Sequence, residues 1–370
     1  MRALSIRLAA ALLAASAARG EERERVVLVQ SEAGVVSLLD PATGIRRATV
    51  RVGKDPRGVA VSPDGRVAVV ADSGLSRGGS ALSVVNLAFA RLSRTIPLSY
   101  LPRTAGESVE PKLYVRAESV AFGEDSRHVW VTCPREDVIL VVDIFEGVVE
   151  AEIETGRQPE FILPSPDGTR AYVSHVGSGT VVILDTRWRG IVDRFEAGSG
   201  AAGLALHPDG KEIWVANSGS NSISVVDLET FQELAEFACG AAPVRLAFAP
   251  DGRHVACANM AGSSVTIFTT DDYRVERVIE LDPPAPKGST QLVRLVGEDL
   301  GADSSLTRGC RPLDVLLVPR GDKLFVSCSR TSHLAEIDTR RWTLARYHPT
   351  GAGPRGLAWW RTEDDWVSAK

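Results

Sequence analysis

The stretch LALHPDGKEIWVANSGSNSISVVDLET, Leu204–Thr230, decides the fold. It holds most of one repeat unit, which runs from Ala202 to Gly240. Leu204–His207 is a short apolar segment, and Pro208-Asp209-Gly210 makes a turn. Ile213–Ala216 and Ile223–Asp227 read as strands on either side of the polar loop Asn217–Asn221, and Glu233–Cys239 reads as a fourth strand. The turn phrase recurs as SPDG at Ser165–Gly168 and APDG at Ala249–Gly252. The prolines Pro166, Pro208 and Pro250 are therefore 42 residues apart each time. A period of this length with four short strands per unit predicts a β-propeller blade.

Laid along the chain, the unit fits seven times. Pro56 opens one blade, and Arg116–Asp125 opens another in degraded form. Pro159, Ala201, Pro243 and Pro312 open four more. The first blade begins with a second strand, Arg25–Val29, and lacks an opening segment. Gly353–Ala358 (GPRGLA) matches Asp55–Ala60 (DPRGVA), so the expectation is that the chain's last strand completes the first blade and closes the ring. The fold class is all-β: a single seven-bladed propeller over residues 19–370.

Residues 1–18 read as a signal peptide. Arg2 and Arg7 form a basic start, Leu8–Ala15 is apolar, and Ala15-Ser16-Ala17 offers small residues at a cleavage point. The expected location is periplasmic or secreted, with no membrane span. The chain has 42 basic and 47 acidic residues, and removing Arg2 and Arg7 leaves 40 against 47. That balance argues against nucleic acid as a partner. Cysteines 133, 239, 257, 310 and 328 show no C-x-x-C spacing, which excludes c-type haem attachment and a zinc ribbon. Cys310 and Cys328 are the pair best placed to bridge, and Cys257 reads as a core residue.

Val215–Thr230 (VANSGSNSISVVDLET) resembles the YVTN-type β-propeller repeat of exported bacterial proteins, and the similarity covers nearly the whole chain after the leader. That family includes lactonase-like hydrolases, surface proteins and periplasmic proteins. It is also similar to propellers that carry or help assemble haem d1, although no haem-ligand motif of theirs matches here. The resemblance implies the fold strongly and the activity weakly.

Departures from the repeat are where function is expected. Insertions at 72–80, 99–114 and 282–309 fall on the face that carries the second-to-third-strand loops, here called the top. A site is expected there, formed partly by these insertions. The first residues of the inner strands should ring the channel mouth. Arg57, Arg245 and Arg355 would meet Glu118, Glu160 and Asp314, with Arg330 and His333 in the same top-face region. Arginine forks suit carboxylate or phosphate. The same charges could instead pair with one another and hold the blades together. Glu118, Glu160 and His175 are the candidate acids and bases. Asp72, Cys133, His175 and Cys328 depart from an Asn preference at the ends of second strands. They carry metal-ligating groups, but with no ligand spacing.

Three functions follow from these readings. The leading one is a binding or scaffold protein that takes a small anionic ligand or a protein partner on the top face. The others are a lactonase-like hydrolase and a periplasmic accessory protein for a redox cofactor such as a haem. No particular cofactor is indicated.

Overall fold

β-Branched runs punctuated by Asp-Gly turns build the strands. In the PDG turns Gly168, Gly210 and Gly252 take φ of 69°, 74° and 71°. Each donates its N–H back to the carbonyl three residues earlier, at 2.8–2.9 Å. Only glycine adopts that conformation without a steric cost, so the turn is legible from its letters.

The structure, a computed structural model, describes residues 23–74, 79–100, 112–282 and 309–362. Within them lie seven four-stranded antiparallel sheets, numbered here from the one containing the N-terminal strand. Blade 1 pairs Arg23–Gln30 with Val35–Leu39 on one side. On the other it pairs with the C-terminal strand Pro354–Thr362, so the ring closes as expected. The inner strands of blades 2 to 7 are Pro56–Val61, Val120–Phe122, Pro159–Pro164, Ala201–Leu206, Pro243–Phe248 and Pro312–Leu317. A small extra hairpin, Ser99–Tyr100 with Lys112–Leu113, stands between blades 2 and 3. No described helix is long and apolar enough to cross a membrane. The leader expected over residues 1–18 lies outside the described residues.

The core lies between neighbouring blades. Trp130 of blade 3 packs with Ile162 and Val173 of blade 4. Fully buried Trp214 sits edge-on to Phe237 and to Phe248 of the next blade, with both ring centroids at 5.5 Å. Of the two tryptophans in the closing strand, Trp360 packs inward. Its indole N–H donates to the Gly65 carbonyl at 2.7 Å.

A second device ties several blades to the one before them. Asn217, at the end of a second strand, accepts the Gly198 N–H at 3.1 Å and donates to Ser224 Oγ at 2.9 Å. Asn259 donates in the same way to Thr266 Oγ1 at 2.8 Å and accepts the Cys239 thiol at 3.2 Å. A Cβ on Gly198 or Gly240 would lie 2.4 Å from the latching amide, which is why glycine stands 19 residues before each asparagine. In blade 1 the latch is Gln30, bonded by Ser37 Oγ at 2.6 Å.

Candidate functional site

Just ahead of each inner strand one residue adopts a left-handed backbone: Asp55, Arg116 (four residues before Val120), Gln158, Gly200, Ala242, Arg311 and Gly353. This kink turns the chain from the rim down the channel wall. It also puts Arg116 and Arg311 at the top mouth beside the expected charges. The channel encloses about 1150 Å³. Arg57, Glu118, Glu160, Arg245, Asp314 and Arg355 all line it, so the six channel-mouth candidates do come together.

Glu118 is the hub. It is nearly buried and accepts Arg57 Nη1 at 2.6 Å. Arg116 Nε lies 3.4 Å from it and Arg355 Nη2 3.6 Å. Arg57 also forks onto Asp55, with Nε and Nη2 at 3.1 and 2.9 Å. Across the mouth Arg245 lies over the Phe161 ring at 4.3 Å and reaches Asp314 only at 4.0 Å. Asp314 accepts the Leu357 N–H at 2.8 Å. Part of the charge is therefore spent on pairing, as the balanced signs allowed, but not all of it. At the mouth five arginines, Arg57, Arg116, Arg245, Arg311 and Arg355, face four carboxyls, Asp55, Glu118, Glu160 and Asp314, while Glu124 and Asp167 line the cavity at its turn end.

The environment weakens two of those carboxyls further as anions. Burial, then repulsion from Glu118, pushes Glu160 up to about 7, and among the described residues its side chain has no hydrogen-bond or ion-pair partner. Burial also pushes Asp314 up to about 6, against the pull of Arg245. Arg355 is lowered by burial, only partly offset by Glu118. Near neutral pH the mouth holds more positive than negative charge, so an incoming anion would complete it.

The other candidates sit elsewhere. His175 is a buried latch residue. Its Nε2 accepts the Gly156 N–H at 3.1 Å, and burial lowers it to about 4. Asp72 and Cys133 occupy the same latch position in other blades, both buried. Cys328 is bonded to Cys310, so its sulfur is not available as a thiolate ligand. These four positions lie on four separate blades, so the residues with metal-ligating groups are not brought together. His333 bonds the Thr331 carbonyl at 2.6 Å and packs edge-on to Tyr347, outside the channel. Arg330 also lies off the channel wall, close enough to Arg311 to be lowered by burial and then by that charge.

No described residue of the three insertions lines the channel. Residues 75–78, 101–111 and 283–308 of those insertions lie outside the described residues. Among the described residues, His128, Asp143 and Glu150 cluster within 4.8 Å. Arg127 already pairs with Asp143, and Arg189 binds Glu150 at 2.6 Å. The same His–Glu pairing recurs between His254 and Glu276 at 3.0 Å, so it belongs to strand pairing. Arg116, Arg311 and Phe161 escaped the sequence reading. The only signal for the arginines was their place just ahead of an inner-strand segment.

No curated protein matches the chain. A functionally unknown protein from Desulfotomaculum acetoxidans DSM 771 is similar in structure. Its TM-score is 0.67 at 15% identity, over 90% of this chain and 98% of that one. Hydrazine synthase of Kuenenia stuttgartiensis is similar too, with TM-score 0.63 at 19% identity over 82% and 90%. At such identities these likenesses speak for the fold alone. Residues 53–276 match the family model described as lactonase, seven-bladed β-propeller, and with the seven observed blades the chain belongs to that family.

Proposed function

We propose that this propeller binds a small carboxylate-bearing ligand at the top mouth of its channel. The observation that carries the reading is the surplus of arginine at the mouth, five against four, beside two carboxyls raised toward neutrality. Arg57 and Arg355 on one side and Arg245 on the other would supply the forks. Replacing Arg57, Arg245 and Arg355 together with Ala should weaken binding of small carboxylates at least about 100-fold, the sum of several charge-assisted hydrogen bonds. Calorimetric titration measures this. Unchanged affinity in a folded triple variant would overturn the reading.

One observation favours a second reading, hydrolysis of a lactone at the same mouth. Glu160, raised to about 7 and unbonded, is poised to take a proton from water near neutral pH, and family membership is compatible with that chemistry. A base works deprotonated, so turnover of a lactone panel should rise as pH passes about 7 and then level off. Glu160→Gln should lower kcat about 10²- to 10⁴-fold and remove that limb of the profile. Turnover insensitive to Glu160→Gln would assign the proton transfer elsewhere.

A further inference from the structure

Two of the three free cysteines meet at the seam between blades 5 and 6. Cys239 directly follows the outer strand of blade 5, Glu233–Ala238. Cys257 lies in the second strand of blade 6, His254–Asn259. Their thiols are hydrogen-bonded to one another. Both belong to the apolar cluster around Trp214, where Cys257 is fully buried and Cys239 is partly exposed. The equivalent positions share a core cluster in other seams, as Val52 with Val70, Ala197 with Val215 and Leu281 with Val326. Packing thus accepts ordinary aliphatic side chains at both places and does not call for two thiols. The third free cysteine, Cys133, is buried in a different cluster that holds no second cysteine. The existing bridge offers a parallel. Cys310 and Cys328 are separated by 18 residues, and so are Cys239 and Cys257. Each pair brackets an inner strand: Pro312–Leu317, which carries Asp314, and Pro243–Phe248, which carries Arg245.

We propose that Cys239 and Cys257 are the site of a second disulfide, which staples blade 5 to blade 6 beside the strand that carries Arg245. Two sulfurs in hydrogen-bond contact need only a short approach to reach the bond length of about 2.05 Å. The Cys310–Cys328 bond fits an oxidising compartment, where such a pair does not stay reduced. The oxidant is an external disulfide, and Cys239 is the point of entry. Its contact with Cys257 lowers it from the ordinary thiol value, against the effect of burial, while burial pushes Cys257 well up. The Cys239 thiolate, its proton gone to solvent, attacks the external disulfide. A mixed disulfide forms and one external thiolate leaves. That thiolate takes the Cys257 proton, and the Cys257 sulfur attacks Cys239 Sγ. The second external thiolate leaves and takes a proton from solvent. Two protein thiols are oxidised, and one external disulfide is reduced to two thiols. Asn259 loses the Cys239 S–H but keeps its bonds to Ser264 and Thr266.

The test is a count of thiols. The folded protein is incubated with oxidised glutathione, denatured in an alkylating reagent and mapped by mass spectrometry. Alkylation should fall from three cysteines to one, Cys133, and a peptide linked through Cys239 and Cys257 should appear. Alkylation still found on all three after incubation would overturn the proposal. Two variants check the order of events, each placing alanine where other seams hold alanine or valine. Cys257→Ala should stop at a glutathione adduct on Cys239, and Cys239→Ala should leave Cys257 reduced. A glutathione adduct on Cys239 that persists in the unmutated protein would also overturn it, because the two sulfurs then do not meet. The outcome is independent of whether an anion binds at the mouth.

Discussion

Asp72 shows how a single residue can depart from a repeat without becoming a site. Its counterparts Asn217 and Asn259 latch neighbouring blades through an amide. Asp72 is buried and accepts Ser83 Oγ at 2.6 Å, while its other oxygen has no partner. Burial pushes it to about 7, so near neutral pH it spends much of its time as the neutral acid, the closest carboxyl imitation of an amide. The folded protein then keeps this proton between about pH 4 and 7, where the unfolded chain has released it. Stability should fall as pH rises through that window and level off above it. Asp72→Asn should remove this pH dependence and raise stability at pH 8 by about 2–4 kcal/mol, measured by urea unfolding across pH. An unaltered pH profile would mean that Asp72 is not the group responsible. The same latch position explains His175: histidine there is neutral and structural, and sequence alone could not separate a latch from a ligand.

At the scale of the element, the C-terminal strand Pro354–Thr362 governs ring closure. It pairs with Arg23–Gln30 and sends Trp360 into the seam with blade 2. Trp360→Ala should cost about 3–5 kcal/mol, because it empties a large buried volume and orphans the Gly65 carbonyl. Trp360→Phe, which keeps most of the volume, should cost markedly less. Equal costs in thermal unfolding would show that the hydrogen bond, not the packing, dominates. The match between GPRGLA and DPRGVA made this strand legible in advance, since a repeat missing a piece at one end and holding it at the other has one closed solution. The latch glycines were not legible in the same way. Their role is to leave room for an amide 19 positions later, which a Cβ would meet at 2.4 Å, and this shows only when the blades are stacked.

At the scale of the whole molecule, closure turns one strand position into a ring. Arg57, Glu118, Glu160, Arg245, Asp314 and Arg355 are scattered over some 300 residues, yet they share one channel mouth. The 42-residue ruler found them, because equivalent positions in a propeller must meet around the axis. It also marked the three insertions as departures. It could not foresee that their described ends would stand away from the channel wall. The blades, the turns and the closing strand were determined by the sequence itself, because each follows from local chemistry: glycine at a left-handed turn, β-branched runs between turns, an incomplete first repeat. Only the tertiary structure decided which charges pair and which carboxyls rise toward neutrality. Those properties depend on distance and burial among residues far apart in the chain, and they come into being when the ring closes.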